Sequence, residues 1–69
     1  MNEIGFLVEE AAEGGFTARA PRFSIFTDAD LIEELKVNIR EAIRCHFDGE
    51  VNLPKVVHLH FIKNEIMSL

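Results

Sequence analysis

Apolar and polar residues alternate from the start of the chain. Ile4, Phe6 and Val8 are separated by Glu3, Gly5, Leu7 and Glu9, a period of two with one breach at Leu7. Successive side chains of an extended chain point to opposite faces, so this pattern predicts a strand over residues 3–9. Ala12-Glu13-Gly14-Gly15 follows, and paired glycines supply the positive φ angles that a tight hairpin needs. Phe16, Ala18 and Ala20 then share one face of a second strand, which Pro21 ends because it cannot donate to a ladder. The β-branched and aromatic run 23–27 predicts a third strand.

The period then changes to that of a helix. Asp30-Leu31-Ile32-Glu33 fits a capping box in which Asp30 accepts from the first turn and Glu33 reaches back. Acidic residues crowd this end, and Lys36, Arg40 and Arg44 come later, as the helix dipole prefers. Ile32, Leu35, Ile39, Ala42 and Ile43, with His46 or Phe47, form one apolar stripe, while Val37 points the opposite way. Asp48-Gly49 stops the helix. After a loop at 50–54, residues 55–62 predict a last strand with Val57, Leu59 and Phe61 on one face. Val56, His58, His60 and Ile62 lie on the other. The apolar tail 65–69 either adds a short strand and folds over the sheet or offers contacts to a partner.

The order is β-β-β-α-β, an α+β domain in which one helix covers one face of a sheet. The covered face is expected to hold Ile4, Phe6, Val8, Phe16, Ala18, Val57, Leu59 and Phe61. Gly5, Leu7, Thr17, Arg19, His58 and His60 would lie on the open face. The outer strands carry unpaired backbone groups that invite strand addition unless they are protected.

Length and composition sharpen this picture. A chain of 69 residues makes a single domain, 1–69, and its core is expected to supply only about 3–5 kcal/mol of net stability. Its one cysteine, Cys45, excludes an intramolecular disulfide. With 48% hydrophobic residues in so small a volume, some must lie outside the core, which favours self-association as a dimer or tetramer. The formal charge of −5, from 12 acidic and 7 basic residues without a basic cluster, argues against direct nucleic-acid contact and suits a basic protein partner. The start Met1-Asn2-Glu3 lacks a positive leader region and no apolar run approaches the ~20 residues of a membrane span, so a cytoplasmic address is expected.

Two stretches together resemble the HicB-type antitoxin family. One is the hairpin Glu9-Glu10-Ala11-Ala12-Glu13-Gly14-Gly15-Phe16-Thr17-Ala18, similar to the family's acidic strand, turn and aromatic strand. The other is Thr27-Asp28-Ala29-Asp30-Leu31-Ile32-Glu33-Glu34-Leu35, continued by Asn38-Ile39-Arg40-Glu41-Ala42-Ile43, similar to the family's helix. Leu31 stands where the family usually has Thr, which passes N-capping to Asp30. The likeness covers about residues 3–47, roughly two-thirds of the chain. It implies a partly degraded ribonuclease-H-like fold, a small mixed sheet with the last strand beside the first. It also implies that the domain masks a small basic RNA-cleaving toxin of the HicA type. The family's appended DNA-binding segment has no counterpart in the few residues after Phe61, so operator binding is not carried over.

On this view the contact surface comprises the acidic residues Glu9, Glu10 and Glu13, the apolar residues Leu7, Val37, Ile62, Ile66, Met67 and Leu69, and the imidazoles His58 and His60.

A ribonuclease-H-like fold raises the question of catalysis. Two-metal nucleases need clustered carboxylates, one of them midway along the first strand, where this chain has Gly5, Phe6 and Leu7. Glu33, Glu34 and Glu41 belong instead to the helix face turned to solvent. His58 and His60 are possible zinc ligands, as are Cys45 and His46, but the two pairs fall on opposite sides of the sheet. A zinc site would then need a second subunit, and surface or interface histidines are the simpler expectation. Cys45 and its neighbour His46 point about 100° apart on a helix, so a structural thiol is expected in place of a nucleophile. Gly14-Gly15 joins two strands and opens no phosphate-binding helix. No cofactor and no enzymatic activity are expected.

Overall fold

The computed structural model describes residues 3–49, 53–63 and 67–69. In chain order the elements are β1 (Glu3–Glu10), β2 (Phe16–Ala20), a single 3-10 turn (Pro21–Phe23), β3 (Ile25–Ala29), α1 (Ile32–His46) and β4 (Val56–Ile62). The four strands form one mixed sheet in the order β3-β2-β1-β4. β1 and β2 are antiparallel, as are β2 and β3, while β4 runs parallel to β1. A parallel neighbour requires a crossover, and α1 lies in that crossover on one face of the sheet.

The register sorts the side chains. Ile4, Phe6 and Val8 stand beside Val57, Leu59 and Phe61 of β4, and Val8 stands beside Ala18 of β2. With Ala20 and Ile25, these strands supply the sheet's half of the core, against Leu35, Ile39 and Ile43 of α1. Phe6 and Leu35 are fully buried. Burying one such side chain contributes on the order of 1.5–3 kcal/mol, so a few of them account for most of what holds a domain this small together.

The helix is not centred on the sheet. Its backbone runs closest to β3 and next closest to β2, above the small residues Ala18 and Ala20. β4 therefore lies at the margin of its cover, and no residue of β4 is fully buried.

The hairpin between β1 and β2 needs its glycines. Gly14 and Gly15 have φ of +103° and +81°, and the Ala11 N–H donates to the Gly15 carbonyl at 3.0 Å. A Cβ on Gly15 would lie 2.9 Å from the Ala29 carbonyl oxygen, so both the backbone angle and the approach of the β3 end exclude a side chain. Gly49, at φ +84°, turns the chain just past the helix, as its position predicts.

Several expectations need correction. The third strand starts at Ile25, two residues later than expected, because Pro21 opens a 3-10 turn and Ser24 adopts the left-handed conformation at φ 53°. Phe23 consequently leaves the sheet and packs edge-on against His46 and Phe47, at 6.1 and 5.6 Å between ring centres. Asp30 does not cap the helix: Leu31 is the N-cap residue and no side chain caps the first turn. The Asp30 carboxylate instead lies over the hairpin, with Oδ1 3.5 Å from where a Gly15 Cβ would stand. Phe47 completes the apolar stripe and His46 is exposed. Cys45 is a surface thiol, because it falls outside that stripe.

Phe61 is on the expected face yet 60% exposed, since the helix does not reach its end of β4. Met67 and Leu69 are 82% and 122% exposed, so these tail residues do not fold over the sheet, and 67–69 have no regular structure. Ile66 lies outside the described residues, as does most of the loop expected at 50–54.

Candidate functional site

Three surfaces carry the candidate residues: the open face of the sheet, the acidic end around the hairpin, and the free edge of β4.

On the open face, the register sets Phe26, Arg19, Leu7 and His60 side by side across the four strands. The next row sets Asp28, Thr17, Glu9 and Ile62 together, and beyond Leu7 the pair Gly5 and His58 follows. Leu7 is half-buried between polar neighbours. Arg19 Nη2 lies 3.5 Å from Glu9 Oε1, with both side chains partly exposed. Such a pair is worth at most about 1 kcal/mol, but it engages Glu9 within the sheet. Glu10 and Glu13 are exposed, and no ion pair to either occurs among the described residues.

His58 and His60 stack at 6.2 Å between ring centres, and His58 Nε2 lies 3.5 Å from Glu3 Oε1. Gly5 leaves room beside His60, whose ring would lie 3.8 Å from a Cβ placed there. Among the described residues, no group of three or more His, Cys, Asp or Glu side chains is close enough to hold a metal ion. Cys45 and His46 lie on α1, away from the strand histidines.

At the other end, a shallow recess of about 300 Å³ opens between the hairpin, the end of β3 and the first turns of α1. Asp28, Asp30, Glu34 and Asn38 supply its polar walls, with Phe16 among its apolar lining. The acidic surface thus extends past Glu10 and Glu13 onto Asp30 and Glu34 at the recess and Asp28 at its open-face rim, which spacing alone did not connect. They meet because the Phe16–Ala29 register brings the end of β3 beside the hairpin.

The two sheet edges differ sharply. On β3, the Asp28 carbonyl accepts from Asn38 Nδ2 at 2.9 Å, so α1 reaches down to one backbone group of that edge. β4 pairs only with β1 among the described residues. It carries no charged residue and no proline within the strand, and Val56, Phe61 and Ile62 are 44%, 60% and 39% exposed. Between β4 and α1 runs a groove of about 210 Å³ lined by Lys36, Ile39, Arg40, Val57 and Leu59. Val56 and Phe26, both exposed on the open face, were not among the expected contact residues. Phe26 was legible only once the phase of β3 was known, with Ile25 inward and Phe26 outward. Val37 is 47% exposed on the outer face of α1, as its wheel position predicts.

Similar proteins extend over most of the chain. A UPF0150 protein of Thermotoga maritima is 44% identical over 69 residues, spanning 100% of this chain and 96% of the relative. A UPF0150 protein of Archaeoglobus fulgidus is 51% identical over 56 residues, 81% of this chain and 82% of that relative. No family model matches the chain, and no solved structure matches it significantly. No helix among the described residues is long and apolar enough to cross a membrane.

Proposed function

The chain belongs to the UPF0150 family, and we propose that it is a cytoplasmic protein-binding module that acts by occlusion and not by catalysis. Its preferred partner on this reading is a small basic RNA-cleaving toxin of the HicA type, masked as a HicB-type antitoxin masks one. The observation that carries the binding role is the β4 edge, a seven-residue and mostly apolar strand, longer than β3, where one carbonyl is tied to α1. Exposed strand edges of this kind add a partner's strand through main-chain hydrogen bonds, and side-chain pockets supply the specificity. The basic character of the partner is supported by the −5 charge and by the acidic recess of Asp28, Asp30 and Glu34 near Glu10 and Glu13. The hairpin and helix that resemble the antitoxin family frame that same recess.

The test is RNA protection. The toxin-like protein encoded beside this chain's gene, if one is present, is mixed with RNA with and without this protein. Protection at a one-to-one ratio, lost on replacing Asp28, Asp30 and Glu34 with Lys, supports the reading. Cleavage that proceeds unchanged sinks it.

A second reading is a self-assembling module without a toxin. The observation favouring it is the apolar surface the chain leaves uncovered on β4 and the tail, namely Phe61, Ile62 and Met67. A monomer at tens of micromolar would end it.

A further inference from the structure

The residues at the open edge have a symmetry of their own. From Lys55 to Lys63 the order is Lys-Val-Val-His-Leu-His-Phe-Ile-Lys, which repeats its residue classes on either side of Leu59. In a strand that pairs antiparallel with its own copy about a twofold axis, each residue faces the one equally far on the other side of the axis, so this symmetry sets apolar residues against apolar ones. With the axis through Leu59, Leu59 faces its counterpart and His58 faces His60. Val57 faces Phe61 and Val56 faces Ile62, so like meets like along the whole strand. The axis stands perpendicular to the sheet, so the two helices stay on one face and the histidines on the other.

The shape of the edge agrees. The groove beside α1 is lined by Val57 and Leu59 at one end of β4, and the uncovered Phe61 ring projects from the other end on the same face. The twofold operation carries Phe61 opposite the copy's Val57, at the mouth of the copy's groove. There the ring meets Ile39, Lys36 and Arg40, an apolar floor with cationic walls that suit an aromatic face. An exposed plug and an empty socket thus lie at symmetry-related places on one strand. The β3 edge is shorter, lacks this symmetry of residue classes, and has its Asp28 carbonyl bonded to Asn38.

We infer that two copies of this chain pair antiparallel through β4 about a twofold axis at Leu59, joining their sheets into one and seating each Phe61 in the other's groove. This rests on the self-association reading and names its surface. At the ends of the seam Lys55 faces Lys63, a like-charge opposition that weakens the pair and makes its register testable.

The experiment uses the full chain in sedimentation and in cross-linking. The wild type is expected to sediment as a dimer at tens of micromolar. F61E is expected to raise the dimer Kd by about 100-fold or more, because each interface loses two buried rings, with an unchanged circular dichroism spectrum. K63E turns the terminal repulsion into attraction twice over and is expected to tighten the dimer several-fold. In a C45S background, L59C brings two thiols directly opposite at a Cα separation of about 4.5–5.5 Å and cross-links under mild copper–phenanthroline oxidation. H60C does not, since its own counterpart is roughly 8 Å away by strand spacing, beyond disulfide reach.

A wild-type monomer overturns both this inference and the self-association reading. A dimer that F61E leaves intact and L59C does not cross-link overturns the β4 interface alone. Cross-linking at H60C in place of L59C overturns the register.

Discussion

The two edges of this sheet show how one helix can protect a domain asymmetrically. β3 is short, and α1 lies nearest to it, with Asn38 bonded to the Asp28 carbonyl at 2.9 Å. β4 is longer, apolar on its covered face and mixed on its open face, where His58 and His60 lie, and no residue in it is fully buried. A helix of 15 residues is wide enough for about two strands at an ordinary packing distance, so covering one edge leaves the other uncovered. Natural sheets usually blunt a free edge with charge, proline or a bulge. Within β4 none of the first two is present, and lysines stand only at its two ends, Lys55 and Lys63. On the β3 edge one carbonyl is already bonded inside the chain, whereas no such bond reaches β4 among the described residues.

Substitutions that treat the two sides unequally test this contrast. The largest difference is expected between Leu35→Ala and Phe61→Ala. Leu35 is fully buried under the helix, and its truncation should cost about 2–5 kcal/mol, comparable to the whole stability of so small a domain. Phe61→Ala at concentrations where the chain is monomeric should cost well under that, because most of the ring is already in water. Urea titrations read both, and equal losses would mean that β4 is not marginal to the core.

Gly15→Ala comes next. The left-handed backbone and the nearby Ala29 carbonyl should together cost about 1–3 kcal/mol, seen as a lower urea midpoint with the same slope. A neutral result would show that the hairpin is not held against the end of β3.

Asn38→Ala removes the bond that ties the β3 edge to α1, at an expected cost of about 0.5–1.5 kcal/mol. If that bond is also the edge guard, the variant should scatter more light than wild type at high concentration. Unchanged scattering would assign the protection of β3 to the body of the helix alone.

The smallest effect is expected for Glu9→Gln, which breaks the partly exposed pair with Arg19. A loss below about 0.5 kcal/mol should leave the melting curve nearly superimposable on that of wild type.

Much of this architecture is legible in the chain. The alternation at Ile4, Phe6 and Val8, the glycine pair and the stripe of Leu35, Ile39 and Ile43 mark their elements because each signal is local. β3 starts two residues later than its propensity predicts because residues 21–24, from Pro21 to Ser24, are spent on a turn, which no strand propensity encodes. The capping box misled for a similar reason: Asp30 satisfies a local template, but the carboxylate is drawn over the hairpin by the register of β3 against β2. Of the contact residues, Val37 and the strand histidines followed from helix and strand periodicity. The recess of Asp28, Asp30 and Glu34 did not, since two of its walls come from segments joined only by strand pairing.

What the sequence determined by itself is therefore the order and kind of the elements, the face each side chain takes along its own element, and the symmetry of residue classes about Leu59. These depend on periods and turn residues within a few positions of one another. Only the tertiary structure decided which sheet edge lies farther from α1, that Phe61 stands in water on the covered face, and that Glu9 is engaged by Arg19. Those outcomes follow from the sideways position of α1 over β2 and β3 and from the strand register. Both are set by the packing of residues far apart in the chain, where no local pattern reaches.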